Sequence, residues 1–339
     1  MSKIIIPEFS LVASDIAEEQ SYKVALDDCL FSKKLCLNKG NLLKWGHASK
    51  GAGECYRRLG QLEKAKYEYD NAIYAFTVEN DLKNLSWAKW AKGNYYRQTC
   101  KYGKAYKSLY EALEYSKKTN NIRCFAYSLA GIAETTRIIG NYSLSFFQHS
   151  AAYKIFKKLN DIRGVVWYYE GIGQIYKNCL HLSEALKYFS IAKKLALSSN
   201  DLRGLGFAYK CLGEVLGLLQ YYVLSKYNFE LSILIFDIIS YNIGKAYALK
   251  SYGELELNYN HIDVAKSNLD KALSIFDSMS DLRGYFYTIK SLGDYYSIIK
   301  NSLNAINYYS KAIEFFTTNN ILYGMNITKY SIFNSQIKL

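Results

Sequence analysis

The sequence repeats every 40 residues, in constant phase from about Asn41 to the C-terminus. With Asn41 as position 1, position 13 reads Gly53, Gly93, Ala133, Gly173, Gly213, Gly253 and Gly293. Position 25 reads Ala65, Ala105, Ser145, Ala185, Ser225, Ala265 and Ala305, and position 32 is Ala72, Ala112, Ala152, Ala192, Ser232, Ala272 and Ala312. Small residues at fixed offsets in successive units mark places where helices approach closely. Units that stack on their neighbours meet that demand, so the expected object is a repeat solenoid with an extended binding surface.

Composition agrees with helix throughout. The one proline is Pro7, and no Gly/Ser-rich or Pro-rich linker divides the chain. Proline inside a helix costs about 3 kcal/mol, so its absence beyond Pro7 leaves the helices uninterrupted. Within residues 161–200, Val165, Tyr168, Ile172 and Ile175 recur at helical spacing, as do Leu182, Ala185, Phe189, Ala192 and Leu195. Each unit therefore reads as an antiparallel helix pair, about positions 3–19 and 22–38. The junction recurs as Asn160-Asp161-Ile162-Arg163-Gly164 and Ser280-Asp281-Leu282-Arg283-Gly284. There Asn or Ser ends one helix and Asp caps the next.

The pattern Leu212-Gly213-x-x-Leu216, Leu292-Gly293-x-x-Tyr296 and Ala65-x3-Tyr69-x2-Ala72 resembles the tetratricopeptide repeat (TPR), in its longer 40-residue variety. Two features depart from the common form: the unit is longer than 34 residues, and the proline after the second helix is missing. HEAT-type units have a similar length, but this Gly/Ala spacing does not fit them. The resemblance implies an all-α, right-handed TPR-like superhelical solenoid. We expect one domain over 1–339: a degenerate opening unit at 1–40 with Ser21–Leu37 as its second helix, seven units over 41–320, and a closing helix at 321–339. Asn326, Lys329, Asn334, Ser335, Gln336 and Lys338 make that closing helix polar enough to face water.

The resemblance also implies that first helices line the concave side, where positions 7, 10, 14 and 17 share a face. Position 7 is aromatic in most units, including Trp87, Tyr127 and Trp167; position 10 includes Trp90, Glu170 and Lys210. Position 14 includes Asn94, Glu134 and Gln174, and position 17 gives Arg57, Arg97, Arg137 and Lys177 before turning neutral. Aromatic area with charged and amide groups suits a peptide. Trp87, Trp90, Asn94, Arg97, Tyr127, Glu134, Arg137, Trp167, Glu170, Gln174, Lys177 and Lys210 are thus the expected partner-binding residues. The aromatics equally suit packing between helices. Lys50/Glu54, Lys210/Glu214, Lys250/Glu254 and Lys290/Asp294 equally read as i,i+4 salt bridges in solvent. Lys50-x3-Glu54 departs from the Lys-x3-Asn of TPR domains that clamp a C-terminal carboxylate.

Charge sharpens the partner. Residues 81–120, 121–160 and 161–200 carry +6, +4 and +2, nearly all of the net +13. A basic segment favours an acidic partner, although abundant Lys, Asn, Ile and Tyr is also the composition of an AT-rich genome. Seven scattered cysteines without a CxxC pair read as reduced thiols, and no apolar run is long enough for a signal-peptide core or a membrane span. The expected location is cytoplasmic, with no membrane partner. His47, His149, His181 and His261 fit no metal spacing, and GxSxG and phosphate-loop motifs are absent. Neither cofactor nor metal nor enzyme activity is expected. The leading reading is a scaffold or adaptor that holds a peptide or extended protein segment, expected to be acidic. Alternatives are a peptide-sensing bacterial-type regulator and a single-strand nucleic-acid binder using residues 81–200.

Overall fold

The computed structural model describes residues 22–337, with side chains to residue 335. Residues 1–21, the whole first half of the expected opening unit with the Ser21 start of its second helix, and residues 338–339 lie outside the described residues, as does the Gln336 side chain. Among the described residues there are sixteen α-helices and no strand. The first helices of successive units are α2 (Leu42–Arg58), α4 (Leu82–Gln98), α6 (Ile122–Ile138), α8 (Ile162–Asn178), α10 (Leu202–Leu218), α12 (Asn242–Asn258), α14 (Leu282–Ile298) and α16 (Leu322–Ile337). The second helices are α1 (Tyr22–Asn38), α3 (Leu62–Val78), α5 (Tyr102–Lys118), α7 (Tyr142–Lys158), α9 (Leu182–Ser198), α11 (Tyr222–Ile238), α13 (Ile262–Ser278) and α15 (Ser302–Thr318).

Helix ends follow local chemistry. Each full first helix occupies positions 2–18, one residue earlier than expected, because position 1 is its cap. Asp161 and Asp201 accept from the Gly164 and Gly204 amides at 3.0 and 2.9 Å, satisfying donors that have no helical partner. At the other end the chain turns left-handed every 20 residues. Asn80, Asn120, Asn160, Asn200 and Asn320 all have φ of 51–54°. The Asp81 amide then donates to the Phe76 carbonyl at 2.9 Å and the Asn80 amide to Thr77 at 3.2 Å, closing the helix end.

The small residues do what the period demands. A Cβ on Gly53 would lie 2.9 Å from the Tyr69 ring, and one on Gly173 2.6 Å from Phe189. Position 13 thus receives the position-29 side chain of its partner helix. Ser145 and Ser225 at position 25 donate to the Ala133 and Gly213 carbonyls at 2.8 and 2.7 Å. Phe76, Phe156, Phe236, Phe276 and Phe316 at position 36 are fully buried between units. Six cysteines are buried, Cys179 is exposed, and all seven are free thiols.

The solenoid also touches itself across a full turn. Gly60 after α2 would place a Cβ 2.4 Å from Met279, and Gly140 after α6 would place one 3.0 Å from Leu322. Between these contacts, Cys100 and Tyr102 share one apolar cluster with Ile289, Phe316 and Ile321. Loops of early units therefore rest on junctions about five units later. The groove is walled on both sides by protein and not laid open along its length. The closing helix is less polar outside than expected: Asn326 and Lys329 are exposed, but Tyr330 and Phe333 are too.

Candidate functional site

All eight first helices, α2 to α16, contribute to the wall of one cavity of about 560 Å³. The period explains why. Positions 3, 7, 10, 14 and 17 of these helices face the same way, so each unit adds a similar strip to the wall. Among the described residues, eleven Arg and Lys line it against five Asp and Glu, so this wall is net basic.

The aromatic strip divides between packing and lining. Trp90 packs edge to face with both Trp87 and Tyr127, and Trp87 and Tyr127 are tilted to each other, all with ring centroids 5.6–5.8 Å apart. Trp87 is buried in the apolar cluster and does not line the cavity. Trp90 and Tyr127 reach the wall with little freedom. The Trp90 indole donates to the Tyr127 carbonyl at 2.9 Å, and the Tyr127 hydroxyl to Asp161 at 3.1 Å. Trp167 is half-buried and faces the cavity, 6.0 Å from the Tyr127 ring.

The basic strip is already engaged. Arg137 donates to Glu134 at 2.9 and 2.5 Å. Arg97 stands 3.8 Å from the same carboxylate and donates to Asn94 Oδ1 at 3.0 Å. Lys177 reaches into the next unit to Glu214, which also takes Lys210 at 2.8 Å and the Ser251 hydroxyl at 2.8 Å. Gln174 donates to Cys211 Sγ at 2.9 Å. The i,i+4 pairs Lys210/Glu214, Lys250/Glu254 and Lys290/Asp294 all form, but they lie on the cavity side and are mostly withdrawn from solvent. Glu54 takes Arg57 and Arg58 in place of the expected Lys50.

Electrostatics separates two carboxyls. Burial alone would raise the Glu134 carboxyl, but Arg137 and Arg97 beside it hold it at about 2. Burial pushes the Glu170 carboxyl up to about 8, with Arg203 only partly offsetting it. Its Oε1 is shut off from solvent without a hydrogen-bond partner. Arg97 Nε, Gln98 Nε2 and Arg203 Nε are also buried without acceptors, and these residues line the same cavity. Burial lowers the Arg97 guanidinium to about 10 despite Glu134. Orphaned polar atoms along one wall are what a polar ligand would satisfy. Among the described residues, no group of His, Cys, Asp and Glu could hold a metal ion.

Sequence reasoning missed the arginines at position 3. Arg163, Arg203 and Arg283 line the cavity, yet in the junction motif they look like helix-cap neighbours. Position 3 lies four residues before position 7, on the same face, and that spacing was the available signal. Tyr323 of the closing helix was missed as well.

No protein-family model and no curated protein matches the sequence. Solved structures do match. A Rap conjugation gene regulator of the plasmid pLS20, in complex with a peptide, aligns over 96% of both chains with TM-score 0.61 and 13% identity. NprR in complex with its cognate peptide NprX aligns over 92% of this chain and 98% of its own, with TM-score 0.58 and 12% identity. A signal-transduction ATPase with a tetratricopeptide repeat sensor, from Pyrococcus horikoshii, aligns over 92% of this chain and 48% of its own, with TM-score 0.52 and 14% identity. The fold is a TPR-like solenoid. At this identity the likeness carries the architecture of the TPR-like solenoid and not its ligands. No described helix is long and apolar enough to cross a membrane.

Proposed function

We propose that this TPR-like solenoid is a non-enzymatic receptor or adaptor that holds a short acidic peptide, or an extended acidic segment of a partner protein, in its central cavity. The observation that carries the reading is the wall itself, with eleven basic against five acidic residues, among those described, around about 560 Å³. That volume lies in the range of pockets for small ligands, which suits a few extended residues and not a folded domain. Arginine is suited to carboxylates, because its planar fork matches them in two parallel hydrogen bonds. Two structures similar to this one over nearly its whole length were solved with peptides, which supports a peptide-sensing regulator as the form such an adaptor takes.

The test is affinity selection on the immobilised protein from equal pools of random acidic and random basic heptapeptides, read by mass spectrometry. Acidic sequences are expected to be enriched. The triple variant Trp90→Ala, Arg97→Ala, Arg137→Ala, with helicity checked by circular dichroism, is expected to lose that enrichment. If the wild type enriches neither pool at low salt, the reading is wrong.

A further inference from the structure

Position 10 of the repeat is Lys50, Lys210, Lys250 and Lys290 in four units and Glu170 in one. The other cavity-lining acids are committed within the fold. Glu134 holds Arg137, Glu214 holds Lys177 and Lys210, Glu254 holds Lys250, and Asp281 accepts from the Gly284 amide and the Tyr247 hydroxyl. Glu170 makes no ion pair with another described residue, and its Oε1 is buried with no hydrogen-bond partner. Among the described residues, Glu170 is therefore the one cavity-lining carboxyl left uncommitted, in a wall that is net basic.

The surroundings of Glu170 fit a cation. Trp167, one helical turn before it, faces the same cavity, and the Tyr127 ring lies 6.0 Å from Trp167. A carboxylate beside aromatic faces is a recurrent environment for bound ammonium and guanidinium groups. The charged groups turned toward Glu170 are Arg203 and Lys210 of α10, Asp201 before α10, and Glu134 of α6. His149 of α7, behind Gly171, is kept neutral by burial. Lys210 is engaged by Glu214 and Glu134 by Arg137. Arg203 keeps a buried Nε without an acceptor.

We infer that Glu170 is the anchor for a cationic group of the ligand, its free amino terminus or a Lys or Arg side chain, while the cavity's arginines hold the ligand's carboxylates. This rests on the peptide-binding reading above. It narrows the ligand from acidic to bipolar, with one positive group at a defined place. With no cation beside it, the carboxyl is held protonated at neutral pH by burial. An arriving cation would stabilise its ionised form, so binding would release a proton to solvent.

The experiment uses two pentapeptide libraries, one with free amino termini and one acetylated, presented to the wild-type chain and to Glu170→Gln. Glutamine keeps the shape and hydrogen-bonding capacity of the side chain and loses only its ability to ionise. The wild type is expected to prefer peptides with a cationic group by about tenfold, the scale of one charge-assisted hydrogen bond. Glu170→Gln is expected to lose that preference while still selecting acidic residues. Preference confined to the free-amine library assigns the amino terminus; preference for Lys or Arg that survives acetylation assigns a side chain. Identical selection by wild type and Glu170→Gln would overturn the anchor and leave the peptide-binding reading standing. A wild type that captures no peptide overturns both. Circular dichroism melts in which Glu170→Gln matches the wild type near pH 4 and is at least as stable at the pH of the selection ensure that a loss is not one of folding.

Discussion

The two halves of the cavity wall are built from the same positions but hold their charges differently. In the units up to residue 200 the base sits at position 17, as Arg97, Arg137 and Lys177, and it reaches an acid three residues back or in the next unit. In the units after residue 200 the base moves to position 10, as Lys210, Lys250 and Lys290, and it pairs with the acid four residues on. Unit 161–200 is where the two schemes meet. Its acid stands at position 10 and its position 14 is Gln174, so Lys177 turns to Glu214 and Glu170 keeps no base. Such a seam teaches that a repeat can carry a specific site without breaking its architecture. Moving one charge by one turn leaves an uncommitted group.

The pairs after the seam are also more open than the one at it. The Glu214 side chain is 15% exposed, against 34% for Glu254 and 25% for Asp294. Glu214 is the acid at the seam, shared by Lys177, Lys210 and Ser251 from three successive units. Burial alone would raise its carboxyl, but the two lysines hold it well below the usual range. Glu214→Gln would leave two withdrawn ammonium groups facing each other. The expected cost is about 3 kcal/mol, since breaking a buried pair strands an uncompensated charge. Urea unfolding followed by circular dichroism checks this. A cost below about 1 kcal/mol, the scale of a solvated pair, would mean that the seam is no tighter than the rest of the wall.

Much of this was legible in the sequence because a repeat reports each position seven times. Gly53, Gly173 and their equivalents mark the close helix contacts before any coordinates, since a Cβ there would strike Tyr69 or Phe189. Arg97 and Arg137 stand out because position 17 is basic in the first four units and neutral after them. What the sequence could not show depends on curvature, which no single unit encodes. The contacts of Gly60 with Met279 and of Gly140 with Leu322 join residues far apart in the chain. Partner choice was equally hidden. Lys50 and Glu54 have the spacing of a pair, but Arg57 and Arg58 take the carboxylate first. The arginines at position 3 were masked by the capping aspartates beside them.

The next largest effect is expected at the seam's uncommitted carboxyl, and its sign is opposite. Glu170 holds its proton up to about pH 8 in the folded chain, against an ordinary value of 4.5. Between those values the folded state binds the extra proton, so stability falls as pH rises through the window. Glu170→Gln removes the titrating group. The variant and wild type are expected to unfold alike near pH 4, with the variant more stable at pH 9 by roughly 1–3 kcal/mol, the cost of an unsatisfied buried polar group. Thermal melts from pH 4 to 9 supply the comparison. Curves that stay parallel over the whole range would show Glu170 ionised and paired in solution.

The smallest effect should come from the far end of the wall. Lys290 meets Asp294 at 2.6 Å, and their side chains are 14% and 25% exposed. Asp294 has a second donor, the Tyr309 hydroxyl at 2.9 Å, so losing the lysine does not orphan it. Lys290→Gln should therefore cost less than about 1 kcal/mol, and added salt should narrow the difference from wild type, as for a partly solvated pair. A loss as large as that of Glu214→Gln would place the tight part of the wall in the pairing of each lysine with its own helix. The crossing from one unit to the next would then not be what distinguishes the two halves.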